Sequence, residues 1–78
     1  MKLIEGEVDS SYRVVRMDLP LNVDRRLEAL GMTGDSRVLV MNKKKRGAMV
    51  IKVRGTRFAI GKSIAEHIEV REDDSDGQ

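Results

Sequence analysis

At 78 residues the chain is one small domain, and a domain of this size buries only about 60% of the surface its unfolded form exposes, which leaves little stability for a deep catalytic cavity. It has no cysteine, excluding disulfides and thiolate metal sites. Its two aromatic residues, Tyr12 and Phe58, are too few for the stacking platforms that grip single-stranded nucleic acid or proline-rich peptides. The net charge of +2 hides an uneven distribution: residues 1–70 hold 14 Lys and Arg against 9 Asp and Glu, whereas residues 71–78, REDDSDGQ, hold 1 against 4. A basic folded domain over 1–70 is therefore expected, followed over 71–78 by an acidic tail with no apolar residue to pack and so expected to be disordered. No apolar run approaches the roughly 20 residues of a membrane span, and MKLIEGEVDSS lacks the apolar centre of a signal peptide. Both point to a soluble, cytoplasmic protein.

The first strand is read at Tyr12 to Met17, where β-branched and charged residues mix between Asp9-Ser10-Ser11 and Leu19-Pro20. In LPLNVDRRLEALGMTG, Val23, Leu27 and Leu30 recur on one helical face. Asn22 is the expected N-cap and Asp24 complements the first-turn dipole. Gly31 stops this helix; as its left-handed C′ residue it places Met32 opposite Leu27 in a Schellman ending. A turn follows at Thr33-Gly34-Asp35-Ser36. Arg37 to Asn42 reads as a strand buried on both faces, and Ala48 to Arg54 as a half-exposed strand with Met49, Ile51 and Val53 inward. Between them Lys43-Lys44-Lys45-Arg46-Gly47 forms a hairpin tip. Arg54-Gly55 is a two-residue hairpin turn into Thr56 to Ile60. Ser63 to Glu66 matches the S-x-x-E capping box of a single helical turn with Ile64 and Ile68 inward, and Ile68 and Val70 suit a short closing strand. The sum is a mainly β fold: a small, strongly bent barrel of about five strands, with a short helix after strand 1 and a helical turn before the last strand.

The segment LEALGMTGDSRVLVM, a hairpin tip, and AMVIKVRGTRFAIGKSIAEHIEV together resemble the FeoA family, small cytosolic proteins that accompany bacterial ferrous iron transport. The shared pattern is L-x-x-L-G-[LM] at Leu27 to Met32, a turn glycine at Gly34, V-x-G at Val53 to Gly55, and A-x-x-I-x-V at Ala65, Ile68 and Val70; it spans roughly Tyr12 to Val70. The resemblance implies an SH3-like barrel, no cofactor, and as partner a membrane Fe²⁺ transporter with a cytosolic GTPase domain. This sequence departs from the pattern at the tip, where the family often has Gly and Pro, and after Ile60, where the family's Arg is replaced by Gly61 and then Lys62.

Residue by residue, the chemistry points away from catalysis. His67, the single histidine, has no neighbour in sequence that completes a triad, and it falls opposite the inner face of its turn. One imidazole does not make a two-His-one-carboxylate iron site. Gly31, Gly34, Gly47 and Gly55 fall at turns where positive φ is useful and do not form a G-x-x-x-x-G-K-[ST] phosphate loop. What remains is surface recognition, and Lys43, Lys44, Lys45, Arg46 and Lys62 are the candidate partner-binding residues, facing anionic lipid or an acidic protein surface. The expected function is a non-enzymatic accessory protein of ferrous iron transport. A second reading is a small RNA-binding barrel of the ribosomal or translation-associated kind, since such folds also use G-D-x-V-like turns and basic loops; scarce aromatics and modest charge count against it.

Overall fold

A computed structural model describes residues 1–73; the remainder of the acidic tail expected over 71–78 lies outside the described residues. Five strands form one antiparallel sheet: β1 (Ser11–Met17), β2 (Arg37–Lys43), β3 (Met49–Val53), β4 (Thr56–Ile60) and β5 (Ile68–Glu72), in the order β4-β3-β2-β1-β5. α1 (Leu21–Ala29) follows β1, and a single helical turn, α2 (Lys62–Ala65), precedes β5. The sheet is not closed, because β4 and β5 stand at its two ends without pairing. Bulges at Val15 in β1 and Met41 in β2 shift the registers of the β1–β5 and β2–β3 pairs, and such extra residues bend the strands that hold them. The bent sheet surrounds an aliphatic core of Val14, Leu27, Met32, Val38, Val40, Met49, Ile51, Val53, Ile60, Ala65, Ile68 and Val70, joined by the Tyr12 ring.

The helix ending matches expectation in detail. Gly31 has φ +97; its N–H donates to the Glu28 carbonyl at 2.9 Å, and the Met32 N–H donates to the Leu27 carbonyl at 2.9 Å. These are the two bonds of a Schellman motif, and Leu27 and Met32 are both buried. Arg54 and Gly55, at φ +52 and +82, make the tight hairpin turn, with Val53 opposite Thr56.

Several expectations require correction. α1 begins at Leu21, directly after Pro20, whose carbonyl accepts from the Val23 and Asp24 N–H groups at 3.0 and 2.9 Å. Asn22 is therefore inside the first turn and exposed, and no side chain caps the helix. Ser63 likewise lies within α2, because the backbone at Gly61 opens the turn and its carbonyl accepts from Ala65 N–H at 3.0 Å. Gly34 does not take positive φ; Asp35 does, at +71. Leu30 is the C-cap of α1 and 36% exposed, off the face formed by Val23 and Leu27. β2 buries only Val38 and Val40 fully, while Arg37, Leu39 and Met41 lie on the outer face. Arg71 and Glu72, expected in the tail, extend β5.

The first ten residues, to which sequence assigned no structure, are built into the fold. A 3₁₀ turn at Leu3–Glu5 drives Leu3 into the core at 0% exposure. Lys2 bridges to Glu69, and the Val70 N–H donates to the Met1 carbonyl at 2.8 Å, so this arm covers the outer edge of β5. Gly6 packs against the Tyr12 ring, where a Cβ would come within 2.9 Å of Cε2, and the Glu7 N–H donates to the Tyr12 hydroxyl at 2.8 Å.

Candidate functional site

The five predicted partner-binding cations meet at one end of the molecule. Lys43 ends β2, and Lys44 to Gly47 turn the chain into β3, closed by the Lys44 N–H donating to the Ala48 carbonyl at 2.8 Å and the Gly47 N–H to the Lys44 carbonyl at 3.0 Å. Lys43, Lys44, Lys45 and Arg46 are all exposed. Lys62, distant in sequence, lays its aliphatic stem on Gly47: a Cβ on Gly47 would sit 2.9 Å from Lys62 Cβ and Cγ. Gly47, at φ +89, thus fits both the turn and the close approach. The Lys62 ammonium stays exposed, 4.0 Å from Glu66 one helical turn on.

The next residues of α2 continue this surface into an apolar groove of about 410 Å³, where Ser63, Ile64 and His67 face Leu19, Pro20 and Val23. Leu21, at the start of α1, is 64% exposed. His67 is exposed and its Nδ1 lies 2.7 Å from the Ser63 carbonyl oxygen. Since a carbonyl only accepts, Nδ1 is the donor in this contact.

A second, larger groove of about 670 Å³ opens on the outer face of the sheet. Arg13, Arg37, Lys52 and Arg54 frame it, with half-buried Leu39 and Ser11 between them and Asp9 and Asp35 at its margin. Strand register creates this cluster: Arg13 lies directly opposite Arg37 on one side and Arg71 on the other, and Leu39 lies opposite Ser11 and Lys52. The Arg13 Nη1 donates to the Asp35 carbonyl at 2.9 Å, and the Arg54 stem packs on Gly31 at the end of α1, where a cation suits the helix dipole. The Asp73 carboxylate, only 3% exposed, lies 3.1 Å from Arg37 Nε and 3.7 Å from Arg13 Nε. None of these groove residues is marked as a binding candidate by sequence. The available signal was a charged residue at alternate positions of two strands, Arg13 and Arg37, but their pairing depends on register.

Among the described residues no three His, Cys, Asp or Glu side chains form a group suited to a metal ion, and no helix is long and apolar enough to cross a membrane. The bent five-stranded antiparallel sheet with its two short helices is that of a small SH3-like domain. The chain belongs to the FeoA family: it matches the FeoA domain over residues 1–72. It is similar to the FeoA protein of Chlorobium tepidum (25% identity, 92% of this chain and 70% of that one, TM-score 0.86). It is also similar to an iron uptake regulatory protein, FeoA, solved by crystallography (30% identity, 94% and 97%, TM-score 0.84). A third likeness is to the FeoA of Stenotrophomonas maltophilia, an SH3 domain protein crystallised with zinc (32% identity, 90% and 88%, TM-score 0.74). Among curated protein sequences none matches the chain. Membership of this family associates the chain with ferrous iron transport.

Proposed function

We propose that this protein is a non-enzymatic cytoplasmic accessory of ferrous iron transport that docks on a membrane Fe²⁺ transporter or its cytosolic GTPase domain. The docking surface in this reading is the continuous one formed by the hairpin tip, α2 and the apolar groove beside it. The supporting observation is the seating of Lys62 on Gly47, which joins the cations Lys43 to Arg46 to the groove of Leu19, Val23 and Ile64. A mixed apolar and cationic surface suits a protein partner: the apolar groove supplies burial, and the cations speed encounter with an acidic face.

The reading is tested by affinity capture of the tagged protein from membranes of cells grown under iron limitation. A GTPase-containing permease should be recovered with the full chain. Recovery should fall at least about tenfold when Lys43, Lys44, Lys45 and Arg46 are all replaced by Gln, since each cation near an acidic or anionic surface contributes up to about 1 kcal/mol. Ferrous iron uptake that is unchanged on deletion of the gene would sink the proposal.

A further inference from the structure

We propose that the outer face of β1, β2 and β3 is a docking site for an acidic segment of a protein partner, and that Asp73 occupies its anion position in the free protein. The face is distinct from the one proposed above, at the opposite end of the β2–β3 hairpin, roughly 20 Å away at about 3.3 Å per residue. Neither proposal depends on the other.

Three arginines stand abreast here, Arg37, Arg13 and Arg71 on neighbouring strands, and like charges placed directly opposite one another across a sheet destabilise it. An anion between them reverses the sign of that interaction. The Asp73 carboxylate is such an anion, held between the Arg37 and Arg13 guanidinium groups at 3.1 and 3.7 Å while its own N–H donates to the Ser11 carbonyl at 3.2 Å. The same Arg13 and Arg37 line the outer groove, which continues past half-buried Leu39 to Lys52 and Arg54. Its length therefore offers two further cations beyond those Asp73 engages, with half-buried Leu39 between. An extended peptide with carboxylates at intervals fits that spacing: one carboxylate replaces Asp73 and others meet Lys52 and Arg54. Arginine favours carboxylate through its planar fork of donors. A nucleic acid would lack stacking partners, as no aromatic side chain lines the groove.

The site is then filled in cis, and a partner must displace Asp73 to bind. The apparent affinity of a ligand falls by the fraction of protein whose site is open. Because the two arginines stay partly exposed, the pairing lowers that fraction only modestly, so Asp73→Asn should tighten binding about two- to fivefold.

The test is an amide NMR titration of the full chain with a blocked hexaglutamate peptide at low ionic strength. Expected are shifts centred on Ser11, Arg13, Arg37, Leu39 and Lys52, tighter binding by Asp73→Asn, and binding at least threefold weaker in Arg37→Gln. The double variant Lys52→Gln with Arg54→Gln keeps the test valid if Arg37→Gln fails to fold, since neither residue pairs with Asp73 in the structure; it should weaken binding by a similar factor. Shifts centred on Lys43 to Arg46 would overturn the proposal, as would equal affinity of wild type and Asp73→Asn. An oligouridylate RNA that binds the same residues more tightly than the peptide would overturn the choice of partner.

Discussion

The two ends of the β2–β3 hairpin are both basic, yet they hold their charges in different ways. At the tip, Lys43 to Arg46 are exposed, and the ion pairs among the described residues involve none of them. At the other end the arginines are positioned by register and braced by Asp73, the Asp35 carbonyl and Ser11. Exposed lysines on a loop retain many rotamers and act as a diffuse field, useful for encounter but weak in geometry. Paired arginines on a sheet are already oriented, and a ligand there exchanges one carboxylate for another. The lesson is that the number of cations in a stretch of sequence is a poor guide to where a shaped anion site lies.

The largest expected effect tests whether both ends stand on one cooperative unit. Leu3 lies under β5 and α2 at 0% exposure, and truncating a fully buried leucine to alanine costs about 2–5 kcal/mol. Leu3→Ala should lower the melting temperature by about 10 °C or more in a domain of this size. In amide exchange, tip and groove residues should lose protection together; independent loss would show two separately stable regions. A smaller change separates the ends. Gly47→Ala forces a Cβ onto the Lys62 stem at φ +89, costing about 1 kcal/mol or more. NMR shifts should move at Lys44 to Ala48 and Lys62 and leave Arg13 and Arg37 in place. Smaller still is the stability effect of replacing Lys43, Lys44, Lys45 and Arg46 by Gln together, about 0.5 kcal/mol or less in thermal melts, which would show that the tip's charges serve something other than the fold.

What sequence made legible was what is local. LEALGM predicts its own ending, because a Schellman cap needs only a glycine and two apolar residues at fixed spacing, and Arg54-Gly55 predicts its own turn. The helix starts differ from expectation because Pro20 and Gly61, rather than Asn22 and Ser63, hold the N-cap positions, and neither carries a side chain that can signal a cap. The tip cations were legible as a run, but the seat of Lys62 on Gly47 was not, since it depends on how α2 packs back on the hairpin. The arginine groove was hidden for a stronger reason: a shift of one residue in register would send Arg13 or Arg37 to the opposite face. The arm from Met1 to Gly6 carries no sequence signal because Leu3 and Ile4 are too short a pattern to show a period.

Acid offers the finest test of the tip's independence, because the amino-terminal arm that packs on β5 and α2 is tied by Glu69. The amino terminus, 2.7 Å away, and then Lys2, at 3.1 Å, donate to this carboxylate and hold its pKa below the ordinary glutamate value. A folded-state pKa below the unfolded one means that the unfolded chain takes up the proton first as pH falls. The tie's contribution is therefore complete above the unfolded value and lost as pH descends through the folded one. Glu69→Gln has no such proton to take up. The small difference in melting temperature between wild type and Glu69→Gln should thus be present at neutral pH and vanish in acid below the glutamate range. Over the same descent the amides of Lys2, Glu69 and Val70 should shift in the wild type, while those of Lys44 to Gly47 respond to no carboxylate of the arm. A tip that shifts in step with Glu69 would show the two ends to be coupled through α2, on which the arm packs and from which Lys62 projects.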